Sequence, residues 1–488
     1  MFTLYTHLKV VLHRPTFTVD YENFWKSSRD LPITWIGLLF SMLAIGACYY
    51  QPDVSEQASR PVPIYLPTDR SLVKKYREAA VHCLTLGRHE QVSEYVVETL
   101  LHLVNIQYLQ NEDTEMEIWV MLGLAIRLAQ KMGYHLDGSR FPELSIFQAE
   151  MRRRAWAVIS DLDISISASF GLPRMINPVH SDIREPRHLR DDDLYRDMTE
   201  LPESRSDEEE TPLLYVLGRQ RILSLAARVS NFLSLGHAGR QEEAILLADQ
   251  LRKTYEELPD CIKPQTHVNA YDRLDGGKRL LRAMYLDLVY YKTRCVLHRP
   301  YLFVRQPDAT FTASRKYCLQ SALQLLHYQS MIYRELQPGG SLEKLWKVSF
   351  IVKHDFLLAT TVLVFDIDQS RRTGLADNDN FCQVSIEALS QSYPIWLEWA
   401  AASREARKAV DMLRVVLGKS QEPKADNMGP FEGTAFTRST ESEEREDGGR
   451  SNSQELVDAL MSLSEENTTS FEHCRGSTPV PDQFFMVS

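Results

Sequence analysis

Apolar residues recur at every third or fourth position from about residue 70 to residue 418. This spacing is typical of amphipathic α-helices, because an α-helix completes one turn in about 3.6 residues. No alternation of apolar and polar residues long enough to predict a β-strand interrupts the pattern. We therefore predict an all-α, multi-helical fold.

One helix, between residues 114 and 133, has a predictable start and end. Thr114 and Glu117 form a capping-box pattern, in which each side chain can bind the backbone amide of the other residue. The apolar stripe that follows steps by three and four residues as far as Gly133. Glycine readily adopts the left-handed conformation that ends many helices, so we expect the helix to stop there.

The next helix is predicted in the same way. Ser145 and Gln148 repeat the capping-box pattern, and an apolar stripe runs from there to Phe170. Gly171 and Pro173 then supply the glycine and proline that commonly follow a helix end. We expect a long helix between these two signals.

The pentapeptide Val-Leu-His-Arg-Pro occurs twice, at residues 11–15 and 296–300. Proline lacks a backbone N–H and disfavours helical geometry in the residue before it, so each copy should close or redirect a helix. The histidine and arginine there can bind exposed carbonyl groups at a helix end. The sequences around the two copies do not match, so the chain is not a solenoid of repeats.

An uncharged, largely apolar stretch covers residues 31–51. A membrane span needs about 20 strongly apolar residues, whereas the strongly apolar part here is shorter and contains Gly37, Ser41 and Gly46. No cluster of lysine and arginine flanks it. We expect a buried helix and no membrane span. Residues 1–30 are polar and mixed in charge, which argues against a signal peptide.

Changes in composition divide the chain into four parts. The segment Arg196–Thr211 is rich in acidic residues and is predicted to be a mobile loop between two helical blocks. After about Lys419 the sequence is dominated by Ser, Glu, Gly and Thr, which bury too little apolar surface to order themselves. We predict helical regions at 1–195 and 213–418, the acidic loop at 196–212 and a disordered tail at 419–488.

The charge balance and the cysteine positions limit the kinds of ligand that this chain can be expected to bind. The 55 Lys and Arg residues are outnumbered by 66 Asp and Glu residues, and a net charge of −11 repels a polyanion such as DNA. The seven cysteines are scattered, without the spacing of a zinc site. We expect buried free thiols in a reducing, intracellular compartment and no metal or cofactor bound by this chain.

Catalytic motifs are missing from the sequence. It contains no GxGxxG, GxxxxGK[ST], GxSxG or HExxH motif. Asp161 and Asp163, like Asp366 and Asp368, resemble paired catalytic carboxylates, but helical residues two apart point to different sides. Capping, ion pairing or solvent exposure explains them better than catalysis, and we predict that the chain is not an enzyme.

Two polar features invite a functional interpretation. His354 and Asp355 lie in an otherwise apolar predicted helix. They could line an effector pocket, or His354 could be a buried histidine whose hydrogen bonds are satisfied by a neighbouring helix end.

Arg152, Arg153 and Arg154 form the only dense basic run in the sequence. Consecutive helical residues cannot make one phosphate-tracking stripe, so a structural bracket around the helix is favoured over a DNA contact.

Several segments, in their order and spacing, resemble one protein family. They are Leu12–Phe17, Ala125–Asp137, Glu150–Trp156 and Gly171–Ile176, followed by the proline and acidic segment Glu185–Leu194. The set resembles the regulatory middle region of fungal transcription factors whose DNA-binding module is a six-cysteine zinc cluster. The signature residues that the resemblance assigns, all in structural roles, are His13, Arg14, Pro15, His135, Asp137, Glu150, Arg152, Arg153, Arg154, Trp156, Asp161, Asp163, Gly171 and Pro173.

The resemblance implies a nuclear regulator of transcription by RNA polymerase II. Its partners would be the transcription machinery, co-regulator proteins or a full-length related regulator, with no membrane contact. Zinc and DNA binding are properties of the family that we assign to no residue here, because the cysteine cluster does not occur in this sequence. Ala157 and Leu172 depart from the family pattern, which indicates a diverged member.

Two alternatives to an effector-controlled regulator remain at the level of sequence. One is a truncated regulator that acts only by sequestering or co-binding a full-length relative, and the other is a small-molecule enzyme or binder. In the tail, residues 454–466 place Leu456, Val457, Leu460 and Met461 at helical spacing among acidic residues. This segment is either an activating patch or an ordinary acidic tail.

Overall fold

The structure is a computed structural model that describes residues 9–26, 31–49, 70–87, 93–110, 116–235, 240–264, 277–303, 309–342, 348–372 and 380–418. These residues form α-helices, short 3₁₀-helices and connecting loops, and none of them lies in a β-strand. The predicted all-α fold is confirmed. The predicted disordered tail and its candidate activating patch lie outside the described residues.

The α-helices are numbered in chain order. The first six are α1 (Arg14–Lys26), α2 (Ile33–Tyr49), α3 (Arg70–Leu86), α4 (Val96–Gln110), α5 (Met116–Lys131) and α6 (Ile146–Phe170). The others are α7 (Pro212–Ser234), α8 (Gln241–Glu256), α9 (Lys278–His298), α10 (Ala309–Leu336), α11 (Val348–Arg372), α12 (Asn380–Trp399) and α13 (Arg404–Leu417). Five 3₁₀-helices occupy Gly138–Arg140, Pro178–His180, Asp191–Asp193, Asp260–Ile262 and Arg299–Phe303.

Helix α6 begins and ends where the sequence predicts. The Ser145 hydroxyl accepts a hydrogen bond from the Gln148 amide, and the Gln148 side chain accepts one from the Ser145 amide, each at 3.1 Å. Gly171 ends the helix in the left-handed conformation, with φ of 65°. Gly133, just after α5, also has a positive φ, of 78°. Thr114 of the other capping pattern lies outside the described residues.

Helix α2 is a buried helix, as expected for the apolar stretch. It packs lengthwise against α3 and also contacts α4, with Trp35 and Leu38 fully buried. Gly37 permits this close packing, because a Cβ atom there would lie 3.1 Å from Cβ of Cys83. Among the described residues, no helix is both long enough and apolar enough to cross a membrane.

One main hydrophobic core runs through both predicted helical regions. It includes Val104 of α4, Ile159 of α6 and Val216 of α7, and it continues to Met284 of α9 and Leu413 of α13. Helix α6 contacts both α5 and α7, and α7 contacts α9, which packs against α10. The acidic segment therefore joins two halves that share a core.

Both copies of the repeated pentapeptide redirect the chain. A short helical stretch ends at Val11, and Pro15 lies in the first turn of α1, where a missing N–H is tolerated. At the second copy α9 ends at His298, and Arg299 and Pro300 continue as a 3₁₀-helix. The predicted role of each copy is confirmed.

Cysteines in the described part of the chain are free thiols. Cys48, Cys83, Cys295, Cys318 and Cys382 are buried, whereas Cys261 is half-buried. The described residues contain no group of three or more His, Cys, Asp or Glu side chains placed to hold a metal ion.

Candidate functional site

The three arginines of the basic run extend from the first turns of α6 in three directions. The Arg152 guanidinium donates to the Met132 carbonyl at 3.1 Å and lies 5.0 Å from the centre of the Tyr134 ring. This contact ties α6 to the end of α5, since Met132 follows the last residue of α5. Arg152 therefore joins two helices that carry the family-like segments.

Arg153 binds two carboxylates at once. It donates from Nε and Nη2 to the two oxygens of Asp137 at 3.0 and 3.1 Å, and from Nη1 to Glu150 at 3.2 Å. Asp137 also accepts from the backbone amides of Ser139 and Arg184. Burial raises the pKa of Asp137, but these donors together lower it well below its ordinary value.

Arg154 is the most buried of the three, with 1% of its side chain exposed. It donates to Asp191 Oδ1 at 2.8 Å and to the Leu189 carbonyl at 3.0 Å. Its neighbour Glu150 is fully buried and accepts from the Arg187 amide at 2.9 Å. Arg154 cannot reach a phosphate on the surface, and it joins α6 to the segment that follows it.

The first Val-Leu-His-Arg-Pro copy meets the same aspartate. His13 donates from Nε2 to the Asp191 carbonyl at 2.8 Å, and the Arg14 amide donates to Asp191 Oδ2 at 3.2 Å. Because a carbonyl oxygen only accepts, Nε2 of His13 carries the proton, and Nδ1 pairs with the Thr16 hydroxyl at 2.6 Å. We call His13, Arg14, Asp137, Glu150, Arg153, Arg154 and Asp191 the α6 polar cluster.

Asp161 and Asp163 lie further along α6 and have separate partners. Asp161 accepts from Arg219 of α7 at 2.9 Å. Asp163 accepts from the backbone amides of Met175 and Ile176, at 3.1 and 2.9 Å. One carboxylate therefore ties α6 to α7, and the other folds the chain back after the end of α6.

Five further signature residues lie outside the α6 polar cluster. Trp156 is buried, and its ring centre lies 5.9 Å from that of His135. Gly171 supplies the left-handed turn after α6, and Pro173 is exposed beyond it. Pro15 lies in the first turn of α1.

Sequence reasoning missed how the acidic segment is held. Arg205 donates to both oxygens of Asp193, each at 2.6 Å, and to Glu209 at 2.7 and 2.8 Å. Arg190 also pairs with Glu209 at 2.6 Å, and Glu210 binds Arg279 of α9 at 3.0 Å. These pairings join acidic side chains in and beside the segment to arginines, which include Arg279 of α9.

The predicted pocket residues lie on α11, facing α9. Asp355 forms an ion pair with Lys292 at 2.5 Å. His354 Nδ1 is buried and has no hydrogen-bond partner among the described residues. Burial and then the positive charge of Lys292 lower the pKa of His354 to about 4, so the ring is neutral near pH 7.

The charge of Asp355 also affects two tyrosines, on α4 and α9. Burial and the negative charges of Asp355 and Glu405 raise the pKa of Tyr108 on α4. Burial, followed by Tyr215 and Asp355, raises the pKa of Tyr285 on α9 well above its ordinary value. We call Tyr108, Tyr285, Lys292, His354 and Asp355 the junction cluster, because they lie on α4 of the first helical region and on α9 and α11 of the second. No local pattern in the sequence predicts Lys292 as the partner of Asp355.

Comparisons with known proteins identify the family. The sequence profile of the fungal specific transcription factor domain matches residues 1–263. A Zn(2)-C6 fungal-type transcription factor of Monascus ruber is 39% identical over 419 residues, which cover 84% of this chain and 50% of that protein. A second one, of Macrophomina phaseolina, is 35% identical over 447 residues, which cover 89% of this chain and 59% of that protein.

A third relative is the equisetin cluster transcription factor of Fusarium heterosporum. It is 34% identical over 423 residues, which cover 86% of this chain and 60% of that protein. The chain thus spans about half to three fifths of the length of these relatives. No solved structure matches the chain. Because the profile matches more than half of its residues, the chain belongs to the family of proteins with the fungal specific transcription factor domain.

Proposed function

We propose that this chain is the regulatory region of a nuclear regulator of transcription by RNA polymerase II. Family membership supports this role, as do relatives named as transcription factors. Three of them are named for the equisetin, fusarisetin A and pyrrolocin clusters. By analogy, the protein would control the genes of a cluster that makes a specialised compound.

The proposed role is regulatory, not catalytic. Asp161 and Asp163, the carboxylates that most resemble a catalytic pair, are occupied by Arg219 and by two backbone amides. A general acid or base must be free to reach its substrate. These contacts support structural roles for both residues.

We propose the junction cluster as the place where an effector acts. The observation that carries this proposal is the Lys292–Asp355 ion pair beside a histidine nitrogen that lacks a partner among the described residues. A buried polar atom without a partner costs free energy, so a ligand that pairs with it gains affinity. Because the cluster includes Tyr108, a ligand bound there would act on both helical regions.

The two helical regions, residues 1–195 and 213–418, would respond to the effector as one unit. The main hydrophobic core includes residues from both regions, and Arg279 of α9 holds Glu210 of the connecting segment. The proposed partners are co-regulator proteins, the transcription machinery or a full-length related regulator. The net charge of −11 favours protein partners over direct DNA contact by this chain.

A reporter assay tests the proposed function. The whole chain is fused to an unrelated DNA-binding module in a fungal host, and reporter expression and nuclear fluorescence are measured in different growth media. We expect nuclear fusion protein and reporter expression that changes with the medium. Asp355→Asn should remove this dependence while the amount of protein stays the same.

Glu78→Gln is the matched control, since Glu78 pairs with Lys74 at 3.9 Å on the exposed surface of α3. This variant should behave as the unmodified chain, because exposed ion pairs contribute little to stability. Reporter expression that never changes with the medium, or an Asp355→Asn variant that still responds, would overturn the effector proposal.

A further inference from the structure

Helix α5 has apolar side chains on its outer side as well as on its inner side. Ile118, Leu122 and Ile126 are buried against the core. Met116, Val120 and Leu124 are 44%, 59% and 44% exposed. These three recur every four residues and therefore form one continuous ridge on the surface. An exposed apolar ridge with polar ends is a common feature of protein interfaces.

The two ends of the ridge carry opposite charges. Glu117 is exposed at the amino-terminal end, where one oxygen of its carboxylate accepts a hydrogen bond from Gln107 of α4 at 2.9 Å. Arg127 and Lys131 are exposed at the carboxyl-terminal end. Glu117 and Arg127 are ten residues apart, or about 15 Å along the helix axis, so they cannot pair within one copy.

We propose that the outer face of α5 binds the same face of α5 in a second copy of this chain, with the two helices antiparallel. A two-fold contact uses the same patch on both copies and so must be self-complementary. Antiparallel helices bring Glu117 of each copy near Arg127 of the other, with the apolar residues between them. A parallel pair would instead place like charges side by side, which costs free energy.

The size of the face sets the strength of this association. Three apolar side chains and their charged ends form a patch at the low end of specific interfaces, below about 1,200 Å² in total. The pairing is therefore reversible and depends on concentration and on salt, because its outer contacts are exposed charges. It requires neither DNA nor an effector and so goes beyond the function proposed above.

Sedimentation of the whole chain over a range of concentrations gives the first test. The unmodified chain should change from monomer to dimer, and Val120→Arg should raise the dissociation constant at least about tenfold by burying a charge at the centre of the contact. Val81→Arg is the matched control, since Val81 of α3 is also exposed, at 46%. It should leave the dissociation constant unchanged.

Charge reversal tests the antiparallel arrangement. In an antiparallel pair, Arg127→Glu sets two glutamates opposite each other and Glu117→Arg sets two arginines opposite each other, so each variant alone should dimerise more weakly than the unmodified chain. A mixture of the two should dimerise, because every end then meets its opposite. Circular dichroism and thermal unfolding confirm that both variants fold.

Three outcomes would overturn the proposal. The first is a chain that stays monomeric at every concentration, which is the result expected if its own tail covers α5. The other two are association that Val120→Arg leaves unchanged and a mixture of the charge-reversed variants that does not dimerise.

Discussion

Arg154 Nη1 lies 2.8 Å from Asp191 Oδ1, and this partly buried contact joins α6 to a segment 37 residues further along the chain. Asp191 also accepts from the Arg14 amide, so the same carboxylate holds the start of α1. Two segments of the family signature, separated in sequence, thus meet at one side chain. In this arrangement Arg154 of the arginine run, through Asp191, holds two distant segments of the chain against α6.

Replacing Arg154 by Met should destabilise the fold strongly. The change removes one of the two arginines that pair with the fully buried Glu150. Breaking a buried ion pair costs about 3–5 kcal/mol. The free energy of unfolding in urea measures the loss. Arg252→Met, at an exposed arginine that pairs with Asp249, should cost less than about 1 kcal/mol. Equal losses in the two variants would contradict a structural role for Arg154.

The contribution of Asp137 to stability should depend on pH in a defined direction. Its folded-state pKa lies below the ordinary value of about 3.9 for an unfolded chain. The stabilisation is therefore complete above that value and is lost as the pH falls through the lower, folded-state pKa. Relative to the unmodified chain, Asp137→Asn should lose about 1–3 kcal/mol at pH 7 and progressively less towards pH 3.

Urea unfolding at several pH values measures this difference. Asp249→Asn, which removes an exposed carboxylate from the pair with Arg252, is the control and should change stability by less than about 1 kcal/mol throughout. A loss for Asp137→Asn that is the same at pH 7 and pH 3 would show that the carboxylate charge is not what stabilises the fold.

Substitution of His354 separates an effector role from a packing role. If the junction cluster receives an effector, His354→Ala should abolish the medium-dependent change in reporter expression while the protein still folds. Circular dichroism and the thermal midpoint report folding, and the reporter fusion reports the response. His354→Asn keeps a polar group at the position and should retain part of the response. Loss of folding in both variants would favour a purely structural histidine.

Two glycines should respond to alanine in opposite directions. Gly171 has a φ of 65° at the end of α6, where an alanine is strained, so Gly171→Ala should destabilise by about 1 kcal/mol. Gly46 lies within α2 with open space around its Cβ position, so Gly46→Ala should stabilise by about 0.5–1 kcal/mol. Thermal unfolding compares the two. The same sign for both changes would contradict the assigned end of α6.

Much of the fold could be predicted from local sequence signals. The start of α6 at Ser145, its end at Gly171 and the changes of direction at both prolines follow from capping and backbone chemistry, which act over a few residues. The resemblance to fungal transcription factors is confirmed by the family match, because the ordered segments are themselves features of the sequence.

The candidate site was only partly predictable. His354 and Asp355 attract attention as polar residues in an apolar helix, but the partner of Asp355 is Lys292, 63 residues earlier in the chain. The sequence also does not show which arginines pair with the carboxylates in and beside the acidic segment. Arg205 meets Asp193 only because the chain turns back between them.

The sequence by itself determined the all-α fold class, the helix ends and the family, because periodicity, capping residues and motif order are all local features of the sequence. Only the tertiary structure decided which charges meet. Arg154 and Asp191, 37 residues apart, meet because the chain around Leu189 and Asp191 folds back against α6. The tertiary structure also left the ridge of α5 exposed, because a helix with apolar residues on both sides can bury only the side that faces the core.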